Sequence, residues 1–161
     1  TIGSGLLALA RDSALQATVR AADARALRIF VEEILRTESA VQGHYRKAKL
    51  TFDLAGVTIP QGAVVHLRYG AGNLDSAVFA DPSSINLARP NAFQHLAFGG
   101  GAHFCVGAML ARKQLVVAFR RLTARLDDIR LAVEETSLER FPSLQHRGVK
   151  TLPILFQRHI G

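Results

Sequence analysis

One cysteine stands between a run of glycines and a helical segment, and that placement gives it chemistry. The stretch Phe98-Gly99-Gly100-Gly101-Ala102-His103-Phe104-Cys105-Val106-Gly107 is a glycine-rich loop that ends on the chain's single thiol. Glycines let the backbone adopt positive φ and approach a flat ligand closely. A helix starting near Val106 aims its unpaired N–H groups and positive dipole end back at the sulfur. A thiolate is stabilised in such a place, and the thiolate is the form that attacks or binds a metal. Three plainer readings exist. Cys105 is an inert core thiol; the glycines are only a tight turn; or His103 and Cys105 are half a zinc site, although no second cysteine and no paired histidine spacing accompany them. None accounts for Phe98, the three glycines, His103 and Gly107 together.

Other residues with chemical potential lie upstream. Glu33 and Arg36, in Val-Glu-Glu-Ile-Leu-Arg, are three apart on a helical stretch and can pair on one face for a few tenths of a kcal/mol. Alone, such a pair is weak evidence, because most are solvated. Arg46 follows Val41-Gln42-Gly43-His44-Tyr45, where the chain turns extended.

The elements that must position these groups are legible in outline. Ile2 to Ala22 has helical apolar spacing, with a break near Arg11 and a restart at Asp12-Ser13. Asp23 to Thr37 is a second strong helix, its stripe formed by Leu27, Phe30, Val31, Ile34 and Leu35, with Glu32, Glu33 and Arg36 on other faces. Residues 41 to 69 are β-like: Leu50 to Leu54 alternates, Ala55-Gly56 turns, Val57 to Ile59 follows, and Val64 to Tyr69 extends after Pro60-Gln61-Gly62. Turn-rich residues 73 to 91 imply a long ordered loop. A helix from about Val106 to Arg125 presents Met109, Val116, Phe119, Leu122 and Leu126 as its stripe, and Leu144 to Gln157 reads as one or two strands. The expected fold is mainly α with a small antiparallel β component.

Composition sets the limits. The chain has 161 residues, 48% of them hydrophobic and 20% charged, which is enough to bury one core. One cysteine excludes a disulfide framework. No apolar run approaches the ~20 residues of a membrane span, and Leu6 to Ala10 lacks the features of a signal peptide. With Thr1 first, the amino terminus reads as an internal cut, and a soluble cytoplasmic protein is the expectation.

The cysteine loop resembles the cytochrome P450 signature Phe-Gly-x-Gly-x-His-x-Cys-x-Gly at all six fixed positions. The resemblance runs from Ile2 to Phe156 and implies the carboxy-terminal haem-binding part of one such domain, residues 1–161. It implies that Cys105 ligates the iron of haem b (iron protoporphyrin IX), that His103 meets a propionate, and that Phe98, Gly99 and Gly107 shape the loop around the cofactor. Arg46 resembles the family's propionate-binding arginine, against a plain strand-edge reading. Glu33 and Arg36 resemble the family's Glu-x-x-Arg pair, with Arg89 as the loop arginine that joins it. Val41, Gln42, Gly43 and His44 fall where the family faces its substrate; His44, a polar residue, is either a substrate contact or points outward. Leu74-Asp75-Ser76 and Ile85-Asn86 depart from the family pattern in the loop before the cysteine. The implied activity of the parent protein is insertion of one oxygen atom of O2 into a small organic substrate, the thiolate assisting O–O cleavage. The family's acid–alcohol pair is not among these residues, so the chain by itself has two other readings: a non-catalytic haem-binding or haem-free remnant, or a basic protein-interaction module.

Charge supports a partner. The net charge is +7, and Pro82 to Leu126 contains no Asp or Glu while carrying Arg89, Arg112, Lys113, Arg120, Arg121 and Arg125. Arg112, Lys113, Arg120 and Arg121 on the helix after Cys105 form a face that steers an acidic protein, which the resemblance implies is a ferredoxin or flavodoxin-like electron donor; the alternative is a merely solvated face. Nucleic acid is not expected, since aromatic interleaving, a recognition motif and a basic arm are all absent.

Overall fold

Two aspartates set the helices of the amino-terminal third. In the computed structural model, which describes residues 1–158, α1 (Ile2–Arg11) stops where Asp12 turns extended. The Asp12 carboxylate accepts from Leu15 N–H at 2.9 Å and starts α2 (Ser13–Arg20). Asp23 accepts from Ala26 N–H at 2.7 Å and starts α3 (Ala24–Thr37). Side-chain acceptors of this kind satisfy N–H groups that have no partner within the helix.

From Ile29 to Arg36 helix α3 is buried on every side, including Glu32, Glu33 and Arg36, while Arg25 and Arg28 in its first turns are exposed. The expected apolar stripe is present, but the "other faces" are not solvent faces. The elements between α3 and the cysteine loop are short pieces. Strand β1 (His44–Lys47) pairs antiparallel with β4 (Val64–Leu67), placing His44 opposite Leu67. Strands β2 (Phe52–Leu54) and β3 (Val57–Ile59) form a hairpin. Its turn, Ala55-Gly56, has positive φ at both residues, which suits the twist of a two-residue hairpin. The extended run expected to reach Tyr69 ends at Leu67, and Tyr69 instead opens the short helix α4 (Tyr69–Gly72).

Helix α5 (Ala108–Arg125) begins two residues later than its sequence suggests, because Val106 and Gly107 form a turn. Its buried residues are Ala108, Leu115, Phe119 and Thr123; Met109, expected in the stripe, is exposed. Strand β5 (Leu126–Leu131) follows at once and pairs antiparallel with β6 (Ile154–Arg158). The expected strand at Leu144 is reduced to isolated bridges, Val41 with His146 and Arg140 with Val149.

The core sits where α1, α3 and α5 meet. Phe30 and Phe119 are fully buried, their rings edge to face with centroids 5.1 Å apart. Gly5 lets α1 lie on that pair: a Cβ there would stand 2.1 Å from the Phe119 ring. Gln16 ties α2 to β5, its Nε2 donating to Leu9 O and Ile129 O while its Oε1 accepts from Ile129 N–H. This framework holds α3 rigid, and α3 holds the site.

Candidate functional site

Cys105 is exposed at the end of its loop, and the loop is closed by its own backbone. The Cys105 N–H donates to Phe98 O at 3.0 Å, Gly99 N–H to Leu96 O at 2.8 Å, and Phe104 N–H to Gly101 O at 3.0 Å. Gly99 and Gly101 have φ of +72° and +64°, a region that side chains with a Cβ rarely enter. Beyond the sulfur, Ala108 N–H donates to Cys105 O and the helix begins.

In front of the sulfur lies a cavity of about 350 Å³ walled by Leu35, Val41, Tyr69, Phe98 and His103, with His44 at its side and no Asp, Glu, Lys or Arg in its lining. The ring of His44 packs edge-on to Tyr69, centroids 5.8 Å apart. Among the described residues no group of three His, Cys, Asp or Glu could hold a metal ion. The lining offers one sulfur, the exposed Cys105 thiol, to a prosthetic group. A mainly apolar wall, one exposed thiol and a close-approaching glycine backbone fit haem.

The expected site residues are only partly gathered here. Val41, His44, Phe98, Gly99, His103 and Cys105 line the cavity. Gly43 is buried with no room for a side chain, since a Cβ would meet Leu67 O at 2.2 Å. Gln42 turns away and donates through Nε2 to Ser39 O. Arg46 is half-buried on β1, with one guanidinium nitrogen donating to Tyr45 O, and is not among the cavity's lining residues. Gly107 sits behind the sulfur: a Cβ there would be 3.9 Å from Sγ.

Two ionic clusters brace the loop from α3. Glu33 Oε1 accepts from Arg36 Nε at 2.7 Å, while Oε2 accepts from Arg36, from Arg89 Nε at 2.9 Å and from Asn86 N–H at 3.0 Å. Arg36 also donates to Asn73 O, Pro82 O and Ser84 O, and Arg89 to Ala80 O and Asp81 O. The turn-rich segment that departs from the family pattern is thus tied down by its carbonyls. Burial pushes the Glu33 carboxyl up, but the Arg36, Asn86 and Arg89 donors outweigh it and hold it below the usual carboxylate range.

The second cluster carries no signal in local spacing. Glu32 accepts from Arg112 at 2.7 and 3.0 Å and pairs with His95 Nε2 at 2.9 Å. His95 Nδ1 accepts from Ala97 N–H, so Nε2 carries the proton donated to Glu32. Burial raises the Glu32 carboxyl, and the His95 and Arg112 hydrogen bonds more than reverse that. The Arg112 guanidinium lies over the Phe98 ring, 4.7 Å from its centroid. Arg112 therefore differs from its expected place in a free basic face: its charge is matched by Glu32 and its side chain is 23% exposed. Lys113, Arg120 and Arg121 are exposed, as a basic face requires. The pointer to Glu32 in the sequence is subtle: two adjacent carboxylates inside Ile29-Phe30-Val31-Glu32-Glu33-Ile34-Leu35, a stretch otherwise apolar.

Among the described residues no helix is long and apolar enough to cross a membrane. The family model described as Cytochrome P450 matches residues 12–144. The chain is 39% identical over 156 residues to cytochrome P450 144 of Mycobacterium tuberculosis, covering 97% of this chain and 35% of that protein. It is 39% identical over 125 residues to cytochrome P450 107B1 of Saccharopolyspora erythraea, covering 77% and 31%. Among solved structures it is similar to the tirandamycin C-bound P450 monooxygenase TamI, with a TM-score of 0.91, 34% identity, and coverage of 97% of this chain and 39% of that one. The chain spans about a third of the length of the curated relatives it matches. Over that span the motif, the braced loop and the fold agree: the chain belongs to the cytochrome P450 family.

Proposed function

We propose that this chain is the thiolate-bearing part of a haem monooxygenase, in which Cys105 ligates the iron of haem b. The observation that carries the reading is the exposed Cys105 thiol at the edge of an apolar cavity, on a loop closed by its own backbone and braced from α3. When bound, haem supplies activation of O2, and a thiolate ligand favours O–O cleavage. The chain's own residues do the rest. Phe98, Leu35 and Tyr69 exclude water from one side of the site. His103 and Arg46 would hold the propionates of the haem. The backbone bond from Cys105 N–H to Phe98 O fixes the loop, and Arg112 stacked on Phe98 fixes that ring. Val41 and His44 face a small organic substrate. Lys113, Arg120 and Arg121 receive an acidic ferredoxin or flavodoxin-like electron donor.

The test is the carbon monoxide difference spectrum of the reduced chain after haem reconstitution, with Cys105→Ala as control. A strongly red-shifted Soret band, lost in the variant, is the expected result. An unshifted band means that sulfur does not ligate, and absence of haem uptake means that the chain is a haem-free remnant.

A further inference from the structure

Helices α3 and α5 leave a groove between them that the chemistry of Cys105 does not use. It measures about 720 Å³, and its lining shares no residue with that of the Cys105 cavity. Phe93, on the 3-10 turn Ala92–Gln94, walls it together with Met109, Val116 and Val117 of α5. Phe93, Met109 and Val117 are each more than half exposed, at 54%, 67% and 57%. The charges in the lining do not balance. Glu32 is committed, since its two oxygens already accept from Arg112 and pair with His95. Arg28 of α3 and Lys113 of α5 remain, both exposed, and among the described residues neither is bridged to a carboxylate. Asp23 feels the charge of Arg28, but it shares that field with Arg25 and is held at the start of α3 by Ala26 N–H. Lys113 lies in the stretch from Pro82 to Leu126 that has no acidic residue.

We propose that this groove binds an amphipathic organic anion, an aromatic body carrying one carboxylate. A hollow of this size, mainly apolar with a few polar groups at its edge, has the dimensions that hold a small organic molecule. The body lies against Phe93 and Met109, because a ring and a polarisable thioether both favour an aromatic partner. Val116 and Val117 cover its other side. The carboxylate meets Arg28 from α3 and Lys113 from α5, the guanidinium offering a planar fork and the ammonium a point charge. The same two cations repel an amine and add nothing for a neutral alcohol. Glu32 does not reverse that order, because its charge is already matched within the protein. The site needs neither Cys105 nor haem, so it stands apart from the haem-thiolate reading.

The chain is titrated calorimetrically at low salt with three probes of one shape: 2-naphthoate, 2-naphthalenemethanol and 2-naphthylmethylammonium. The carboxylate is expected to bind about tenfold tighter than the alcohol, the yield of two exposed charge contacts together, and the ammonium weakest. Added salt narrows the gap. Arg28→Glu combined with Lys113→Glu reverses the order and favours the ammonium. Val117→Trp fills the groove and removes the tight carboxylate binding. All three positions are exposed, so both variants keep their helix content, which circular dichroism checks. Equal binding of carboxylate and alcohol, absence of binding by all three, an unchanged order in the charge-reversed variant, or an unchanged carboxylate affinity in Val117→Trp overturns the proposal. Cys105→Ala must leave the carboxylate preference intact while removing the red-shifted band, so the groove and the thiolate site fail independently.

Discussion

Glu32 and Glu33 are neighbours on α3, both almost inaccessible to solvent, yet they sit in different circuits. Glu33 looks toward the turn-rich segment and holds two arginines that are themselves 0% and 3% exposed. The remaining donors of that cluster end on backbone carbonyls of residues 73 to 84 and on the Ser84 hydroxyl. Glu32 looks toward the cysteine loop and holds one histidine and one arginine that still reaches water. The first circuit is closed and ties backbone to backbone. The second is open at one end and ends on the Phe98 ring, whose carbonyl accepts from Cys105. The contrast teaches that a buried carboxylate is committed by its partners' burial as much as by its own.

The largest expected effect breaks the closed circuit. Glu33→Gln leaves Arg36 and Arg89 buried around a neutral amide, and stranded charges of this kind cost about 3–5 kcal/mol. Glu32→Gln leaves Arg112 able to turn to solvent and costs about 1–2 kcal/mol. Urea unfolding of both variants measures the difference; equal losses would show that the two circuits are equivalent. Next in size is Arg36→Lys. The native side chain makes five hydrogen bonds in a planar fork, and an ammonium cannot span Glu33, Asn73 O, Pro82 O and Ser84 O. A loss of about 2–3 kcal/mol is expected, against less than about 1 kcal/mol for Arg112→Lys. Comparable midpoints for the two lysine variants would contradict the distinction.

How much of this was legible depended on distance along the chain. Asp12 and Asp23 announce their helices because a cap acts over three residues. The Ala55-Gly56 turn is equally local. Glu33 with Arg36 was legible as a pair, and the family resemblance supplied Arg89 as its loop partner; the burial of the cluster and the Asn86 N–H, which arrives from 53 residues away, were not legible in the spacing. Glu32, His95 and Arg112 lie 63 and 80 residues apart, and nothing in their spacing joins them. Asn73 was hidden for the same reason: it donates to Ser39 Oγ and accepts from Leu96 N–H, linking α3 to the loop before the cysteine. Strand β5 was missed because its pairing register shifts between Asp127 and Arg130 and Asp128 takes a positive φ, which removes the two-residue alternation. The Cys105 loop was fully legible because its chemistry is contained in ten consecutive residues.

A smaller effect separates the circuits at the loop itself. His95→Phe keeps a ring beside Phe98 but removes a donor from Glu32 and an acceptor from Ala97 N–H. About 1 kcal/mol of stability is expected to go. In the haem-reconstituted chain the fraction giving the red-shifted carbon monoxide band should fall too, because residues 95 to 98 carry the carbonyl that holds Cys105. Arg89→Met, which disturbs the closed circuit, should lower the unfolding midpoint more than that fraction. The reverse pattern would place the control of the thiol in the turn-rich segment.

The smallest effect is a pH dependence, and its sign follows from the two carboxyls. For each, burial raises the pKa and the donors lower it further than burial raised it, so the folded value lies below the ordinary one of 4.5. The unfolded chain then binds more protons in that window, and stability rises with pH through it. The contribution is complete above the unfolded value and disappears as pH falls through the folded value. Glu32→Gln removes one such group, so the gap between wild type and variant is widest near neutral pH and closes on acidification, by within about 1 kcal/mol. The Glu33→Gln gap closes in the same direction but leaves a residue of instability, because protonation does not relieve two guanidinium groups that cannot reach water. Parallel stability curves for wild type and Glu32→Gln from neutral pH down to acid unfolding would mean that His95 and Arg112 do not hold Glu32 ionised, and the open circuit would then be packing alone.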